Sequence, residues 1–271
     1  MRARNISEDH GLVLEGIEGA HAVMDDILVA GKTVEKHDAI LQRVIRRATE
    51  YNLKLNMSKC RIRQSSVKYV GHQISGEGLS PDPDKLSALR EMPAPMDKAG
   101  VKRFVGFITY LSKFVPRLSE ELKPITDLLC TEIVFQWQPA QQQAFQRLKD
   151  LCCESPTLAL YDVSKPLEIH CDASSTGLGA VLVQCDRPIY FSSRRLTNTE
   201  QQYAQIEKEM LSVVHACSKF HHLIFGRPVT VYNDHKPLEI ISKKPLLSAP
   251  MRLQRMLLRI QCYDLTISYR K

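Results

Sequence analysis

Two adjacent aspartates, Asp25 and Asp26, stand inside an otherwise apolar run near the start of the sequence. Val23 and Met24 precede them, and the apolar residues 27–29 follow. Strands disfavour aspartate, and a buried carboxylate is costly unless it is paired, hydrogen-bonded or bound to a metal. The pattern therefore leaves two interpretations, a turn between two strands or a site for a cation.

The rest of the chain alternates between strand-like and helical patterns. Residues 21–78 predict strand, helix and strand, with a helical stripe of apolar residues inside "EKHDAILQRVIRRATEYNL". Residues 79–155 are almost wholly helical in pattern, and Pro139 stands where the first residue of a helix belongs. Residues 156–271 return to strands and then alternate helices with strands, which favours an α/β or α+β fold.

The last region predicts three strands, a long helix, a further strand, two helices and a last strand at "DLTISYRK". The long helix has Asn198 or Thr199 as its cap and Gly226 as its stop. The first three strands are punctuated at three positions, which are Gly177, Gly179 and Pro188.

Charge and cysteine content narrow the function classes. The net charge of +7 favours an anionic partner, of which nucleic acid is the commonest. Eight cysteines without a CxxC pair favour a reducing compartment over a disulfide framework or a zinc ribbon. No apolar run approaches the roughly 18 residues of a membrane span, and the N-terminal residues lack a signal-peptide core. We expect a cytoplasmic or nuclear protein that is not secreted and has no membrane partner.

Three acids of the last region follow or adjoin apolar elements. Asp172 lies near the end of one strand, Asp234 at the end of another, and Glu209 in the apolar part of the long helix. If the strands are neighbours and the helix crosses their ends, the carboxylates converge. Converging carboxylates suit Mg²⁺ or Mn²⁺, and two such ions can promote phosphodiester cleavage. Three basic residues nearby could meet a phosphate backbone, namely Arg194, Arg195 and Lys208.

The alternative interpretation treats these acids as surface residues at strand ends and on a solvated helix face. Glu207 also precedes Glu209 by two positions, so the two glutamates face different sides of the helix. The pattern alone does not decide which of them points at the strands, although Glu209 adjoins the apolar run.

Motifs along nearly the whole chain resemble one family. In order, they include "VMDDILVAGKT", "LKLNMSKC", "VKYVGHQISGEGL", "FQWQPAQQQAFQRLK", "CDASSTGLGAVLVQ", "QQYAQIEKEML" and "VYNDHKPLE". They are similar to the reverse transcriptase and ribonuclease H part of a Ty3/Gypsy-type LTR retrotransposon polyprotein.

The resemblance implies a division into a truncated reverse transcriptase palm at 1–78, a helical thumb and connection at 79–155, and a ribonuclease H-like mixed-sheet domain at 156–271. It places Asp25 and Asp26 in a palm hairpin, where the family binds Mg²⁺ with the help of an earlier aspartate. It matches Asp172, Glu209 and Asp234 to three of the four catalytic acids of ribonuclease H. The implied partners are a primer–template and an RNA–DNA hybrid.

Some features depart from the family pattern. The acids before the "VMDD" motif, which are Glu8, Asp9, Glu15 and Glu18, lie in no strand-like context. Val23 replaces the usual tyrosine. We therefore expect no polymerase activity from this chain alone, although the resemblance implies RNA-directed DNA synthesis as the ancestral activity.

After "ISYRK" the family continues into a helix that carries the fourth acid. We expect a ribonuclease H-like domain that lacks this last helix and is catalytically weak, with cleavage of RNA in hybrids as its residual activity. The alternatives are a non-catalytic remnant that binds nucleic acid and a pseudogene product without function.

Overall fold

The computed structural model describes residues 13–270, so Glu8 and Asp9 lie outside the described residues. The chain divides into two compact units, residues 1–76 and 77–271. Both units mix helices with strands, as the sequence predicts. The finer division at residues 78 and 155 stays a prediction.

The first unit is built from two hairpins and a helix. Strands β1 and β2 pair antiparallel, and β3 and β4 form the second hairpin. Helix α1 is amphipathic, and Val44 on its apolar face packs in a small core with Val13, Leu14, Ile17 and Ala20. The strand, helix and strand predicted over 21–78 are present, but the last strand is a hairpin that turns at Val70 and Gly71. The elements are β1 Ala20–Val23, β2 Asp26–Val29, α1 Val34–Glu50, β3 Ser66–Tyr69 and β4 His72–Ser75.

The second unit begins with a short strand and a group of helices. Pro139 is at the first turn of α6, as predicted, and Asp82 caps α2 by accepting a hydrogen bond from the backbone of Asp84. Phe104 and Phe145 meet in the core of these helices with ring centroids 4.7 Å apart. The elements are β5 Gly78–Pro81, α2 Pro83–Glu91, α3 Lys98–Leu111, α4 Leu118–Glu121, α5 Lys123–Thr126 and α6 Pro139–Cys153.

A five-stranded mixed sheet follows in the same unit. Its strand order is β10-β9-β6-β7-β8, with β6, β7 and β8 antiparallel and β9 parallel to both β6 and β10. Helix α8 packs its apolar face on this sheet, so most of its side chains after the first turn are buried. The strands are β6 Leu167–Ala173, β7 Gly177–Gln184, β8 Arg187–Arg195, β9 Pro228–Asn233 and β10 Asp264–Tyr269; the helices are α7 Asn198–Gln201, α8 Gln205–Lys219, α9 His221–Ile224, α10 Lys236–Ser242 and α11 Met251–Ile260.

The predicted long helix is wrong in detail. Thr197 is the cap, and the helical segment is interrupted because Ala204 adopts an extended conformation that starts α8 as a new helix. Gly226 has φ +75° after α9, in keeping with its predicted role as a stop.

The predicted breaks between the strands are wrong at two of the three positions. Gly177 is the first residue of β7, as a break there predicts, but Gly179 lies inside β7 and Pro188 lies inside β8. The breaks fall at residues 174–176 and at the two-residue turn of Cys185 and Asp186.

All eight cysteines are free. Burial raises the pKa of the Cys152, Cys171 and Cys217 thiols to about 12, so these three side chains are neutral at physiological pH. Within the described part of the chain, no helix combines the length and apolarity that crossing a bilayer requires.

Candidate metal centre

Asp172, Glu209 and Asp234 come together in the second unit. Each offers one carboxylate oxygen, and these oxygens lie within 4.8 Å of one another. Glu209 is buried, Asp172 is partly buried and Asp234 is exposed. The predicted convergence of three acids from two strands and a helix is therefore present, and their role as metal ligands stays a prediction.

The sheet register explains why the two aspartates meet. Strands β6 and β9 are parallel neighbours, and their register pairs His170 with Tyr232. Asp172 and Asp234 each lie two residues beyond that pair, so they share one edge of the sheet. Asp172 occupies a half-exposed position between buried Cys171 and buried Ala173, because side chains alternate along a strand.

Glu209 reaches the same edge from the second turn of α8. Asn233 Nδ2 donates to Glu209 Oε2 over 2.8 Å, and Gln205 Nε2 donates to Glu209 Oε1 over 2.5 Å. Burial raises the pKa of Glu209, the two amide donors oppose the rise, and the charges of Asp172 and Asp234 add to it. The pKa of Glu209 is raised overall, so a cation at this position would stabilise the ionised form of its carboxylate.

The donor set fits a hard divalent cation. Mg²⁺ is usually bound by one or two carboxylates together with water and substrate oxygens, and two ligand oxygens on opposite sides of the ion are about 4 Å apart. Two ions share carboxylates when they lie about 4 Å apart. The 4.8 Å spread of the carboxylate oxygens is compatible with either arrangement after small side-chain rotations.

Glu207 faces away from this group. Its Oε2 accepts a hydrogen bond from the Ala204 backbone amide over 3.0 Å, and its two oxygens accept from Arg252 Nη1 over 3.0 and 2.8 Å. Glu207 is therefore a helix cap and ion-pair partner, and Glu209 is the glutamate that joins the two aspartates.

The basic residues predicted near the centre are buried or form ion pairs with acids outside the ligand group. Arg194 forms a bidentate ion pair with Glu200, over 2.9 and 3.0 Å. Arg195 pairs with Asp127 over 2.5 Å, and Lys208 is buried. The guanidinium that reaches the centre is that of Arg117, whose Nη2 donates to Asp172 Oδ2 over 2.9 Å.

Asp25 lies in the turn of the β1–β2 hairpin and Asp26 is the first residue of β2, so the turn of the first interpretation is present. Met24 and Asp25 form the turn, Val23 pairs with Asp26, and both carboxylates are exposed. Across residues 13–270, no third acid, histidine or cysteine joins them in a potential ligand group. Their role as metal ligands stays a prediction.

Three contacts of the centre were not predicted from the sequence. Gln205 had a usable signal, since it stands four residues before Glu209 on one helix face. Asn233 directly precedes Asp234 but carries no local sign of its contact with Glu209. Arg117 is 55 residues from Asp172, and only the tertiary fold brings the two together.

Comparison with protein families finds two matches. Residues 17–74 match the family described as reverse transcriptase (RNA-dependent DNA polymerase), a range that includes Asp25 and Asp26. Residues 137–231 match the RNase H-like domain found in reverse transcriptase, a range that includes Asp172 and Glu209.

Similar proteins are longer than this chain. A retrovirus-related Pol polyprotein from transposon 297 of Drosophila melanogaster is 33% identical over 249 residues, which cover 92% of this chain and 23% of the relative. The chain spans 20% to 26% of the length of the curated relatives it matches.

Solved structures share the fold. A foamy viral protease-reverse transcriptase dRH in complex with double-stranded DNA has a TM-score of 0.88 at 22% identity, covering 98% of this chain and 48% of that one. The foamy viral protease-reverse transcriptase in complex with an RNA/DNA hybrid has a TM-score of 0.85 at 23% identity, covering 97% of this chain and 37% of that one.

Proposed function

We propose that this chain, which carries reverse transcriptase and RNase H-like domains of the kind found in retrotransposon Pol polyproteins, cleaves the RNA strand of an RNA–DNA hybrid. Asp172, Glu209 and Asp234 would hold the divalent ion, with Mg²⁺ as the first candidate and Mn²⁺ as the second. The observation that carries the proposal is the approach of three carboxylate oxygens to within 4.8 Å from three separate elements.

The chain's own side chains would prepare the site in two ways. Asn233 and Gln205 orient the Glu209 carboxylate, because one amide donates to each of its oxygens. Asp172 and Asp234 are the more exposed ligands, so a phosphodiester would approach from their side. When bound, divalent ions would activate a water molecule and stabilise the oxygen that leaves the phosphorus.

The second proposed cation site is the hairpin that carries Asp25 and Asp26. Two adjacent exposed carboxylates, one in the turn and one at the start of β2, would supply two of the ligands that nucleotidyl transfer requires. We propose that polymerisation needs a further ligand in addition to these two aspartates.

The order of the motifs supports assignment to the Ty3/Gypsy lineage. The nucleic-acid partners proposed are an RNA–DNA hybrid at the ligand group and a primer–template at the hairpin, in line with the positive net charge of +7. Eight free cysteines support residence in the cytoplasm or nucleus.

The test is a cleavage assay with the full chain. A hybrid labelled on its RNA strand is incubated with Mg²⁺ or Mn²⁺, with single-stranded RNA and double-stranded DNA as specificity controls. We expect metal-dependent cleavage of the hybrid RNA, and a loss of more than about 100-fold in Asp172→Asn and Glu209→Gln. The matched control is Asp186→Asn, which changes an exposed aspartate in the β7–β8 turn and should keep full activity.

Hybrid binding without cleavage would favour the rival function, a non-catalytic nucleic-acid-binding protein. Fluorescence anisotropy with the same hybrid separates the two functions. Cleavage that persists in Asp172→Asn and Glu209→Gln would contradict the proposed ligand set.

A further inference from the structure

We propose that Arg117 occupies the position of a cation at Asp172 and must move away before a metal ion binds, so that this arginine sets the metal affinity of the centre. The inference rests on the proposed function, because it concerns the same three carboxylates. It assigns Arg117 a regulatory role as a built-in competitor.

The first step of the inference is the contact itself. Arg117 Nη2 donates to Asp172 Oδ2 over 2.9 Å, so one oxygen of a candidate metal ligand already faces a positive charge. Within residues 13–270, no basic side chain forms an ion pair with either of the other two ligands, and Glu209 is held by the neutral amides of Asn233 and Gln205. The guanidinium is therefore placed where a divalent ion would have to compete with it.

The second step is the fixed position of the Arg117 backbone. Two residues that follow Arg117 form hydrogen bonds with the sheet region. The Ser119 amide donates to Ser193 Oγ over 2.9 Å. Glu120 Oε1 accepts from Ser174 Oγ over 2.5 Å. At Gly177, the neighbour of these contacts on β7, an added Cβ would lie 3.2 Å from Glu120 Oε1. The start of α4 is thus packed closely on the sheet edge beside Asp172.

The third step is the freedom of the Arg117 head group. Its side chain is 69% exposed and that of Asp172 is 45% exposed. Ion pairs with this exposure contribute little net stability. The guanidinium can therefore rotate into solvent while its backbone stays in place, which makes it a removable cation.

A supporting role for Arg117 would change the metal affinity in the opposite direction from a competing role. If Arg117 supported Asp172 as an outer partner that orients a metal ligand, its loss would weaken metal binding. A competing cation predicts tighter binding when the charge is removed. The sign of the change in metal affinity therefore distinguishes the two roles.

The experiment is calorimetric titration of Mn²⁺ into the metal-free full chain, with Arg117→Gln as the test variant. Glutamine keeps a Cβ and a polar stem at this position, where the backbone has φ +49°, so backbone strain is unchanged. We expect the dissociation constant for Mn²⁺ to fall about two- to fivefold. Arg117→Lys keeps the positive charge and should stay close to the wild-type affinity.

The matched control is Arg195→Gln. It removes the ion pair between Arg195 and Asp127, which also joins the segment after α4 to β8 but lies outside the ligand group. This variant should bind Mn²⁺ with wild-type affinity. A gain in Arg195→Gln equal to that in Arg117→Gln would overturn the inference, because loosening of the segment would then be the cause.

Equal or weaker Mn²⁺ binding in Arg117→Gln, with intact binding by the wild type, overturns the inference and leaves the proposed function standing. Absence of Mn²⁺ binding in both proteins overturns the proposed metal centre and the inference with it. Binding that is tighter in Arg117→Gln and lost in Glu209→Gln supports both.

Discussion

Asn233 and Glu209 are joined by a hydrogen bond of 2.8 Å between two buried side chains. The same Asn233 amide nitrogen donates to the Cys171 carbonyl over 3.1 Å, and Asn233 Oδ1 accepts from the His235 backbone amide over 2.9 Å. One side chain thus connects the ends of β6 and β9 to α8. The two strand ends and the helix that carry the ligand group depend on this connection.

Replacing Asn233 by alanine should damage both stability and metal binding. The substitution leaves one oxygen of a buried carboxylate without its donor, and we expect the unfolding free energy to fall by about 2–3 kcal/mol. Without the amide the pKa of Glu209 should rise further, so protons compete better with a metal ion. Urea unfolding followed by the fluorescence of Trp137, the single tryptophan of the chain, measures the first effect, and Mn²⁺ titration measures the second.

The control for this substitution is Asn198→Ala at an exposed position of α7. It should change the unfolding free energy by less than about 0.5 kcal/mol. Wild-type Mn²⁺ affinity in Asn233→Ala would show that the Glu209 carboxylate needs no orientation by this amide.

Substitutions of the two neighbouring glutamates of α8 should have different effects, one on stability and the other on cleavage. Glu207→Gln removes a charged partner of Arg252 and weakens the cap at Ala204, so we expect a loss of about 0.5–1.5 kcal/mol in unfolding free energy. Hybrid cleavage should stay within about twofold of wild type, since the Glu207 carboxylate points away from the ligand group.

Glu209→Gln is the counterpart at the ligand position, and it should lose cleavage. Hybrid-cleavage rates and unfolding free energies are measured in parallel for the two variants and compared. If Glu207→Gln folds normally but has lost cleavage, then Glu207 and not Glu209 is the glutamate of the ligand group.

The sequence was sufficient to predict those features whose physical cause is local or follows from sheet geometry. Two aspartates inside an apolar run limited the choice to a turn or a cation site, because strands disfavour aspartate and buried carboxylates are costly. Acids at the ends of two strands predicted the meeting of Asp172 and Asp234, because the ends of neighbouring parallel strands share one edge. The choice between Glu207 and Glu209 required either the family resemblance or the structure, since a helix face cannot be oriented from its own residues alone.

The sequence failed where tertiary contacts decide. The break at Ala204 carries neither glycine nor proline, so periodicity alone continued the helix across it. The sequence did not predict the acidic partners of Arg194 and Arg195, which are Glu200 and Asp127, and Asp127 is 68 residues from Arg195. Long-range ion pairs of this kind leave no periodic signal in a sequence.

His215 should make the second unit lose stability in acid. Burial lowers the pKa of His215 from 6.5 to about 4, with the charges of Arg194 and Lys219 adding to the effect. The unfolded chain therefore binds more protons between pH 6.5 and 4, and folding is favoured less as the pH falls through this range. We expect a loss of at most about 3 kcal/mol from this histidine.

The measurement for His215 is urea unfolding at pH 7 and pH 4.5, followed by Trp137 fluorescence. His215→Gln should show a smaller difference between the two pH values than wild type. His222→Gln, at an exposed position, should keep the wild-type difference. An unchanged pH dependence in His215→Gln would mean that this imidazole is protonated in the folded protein.

The two-residue turn between β7 and β8 should accept a stabilising change. Cys185 and Asp186 have φ +50° and +58°, and Gln184 pairs directly with Arg187, which defines a tight hairpin that favours Asn-Gly. We expect the double variant Cys185→Asn with Asp186→Gly to gain about 1 kcal/mol, seen as a rise of about 2–4 °C in Tm. Cys185→Ala removes the thiol but keeps the backbone strain, so it should bring no gain. If Cys185→Ala alone reproduces the rise, thiol chemistry rather than turn geometry limits the stability of this hairpin.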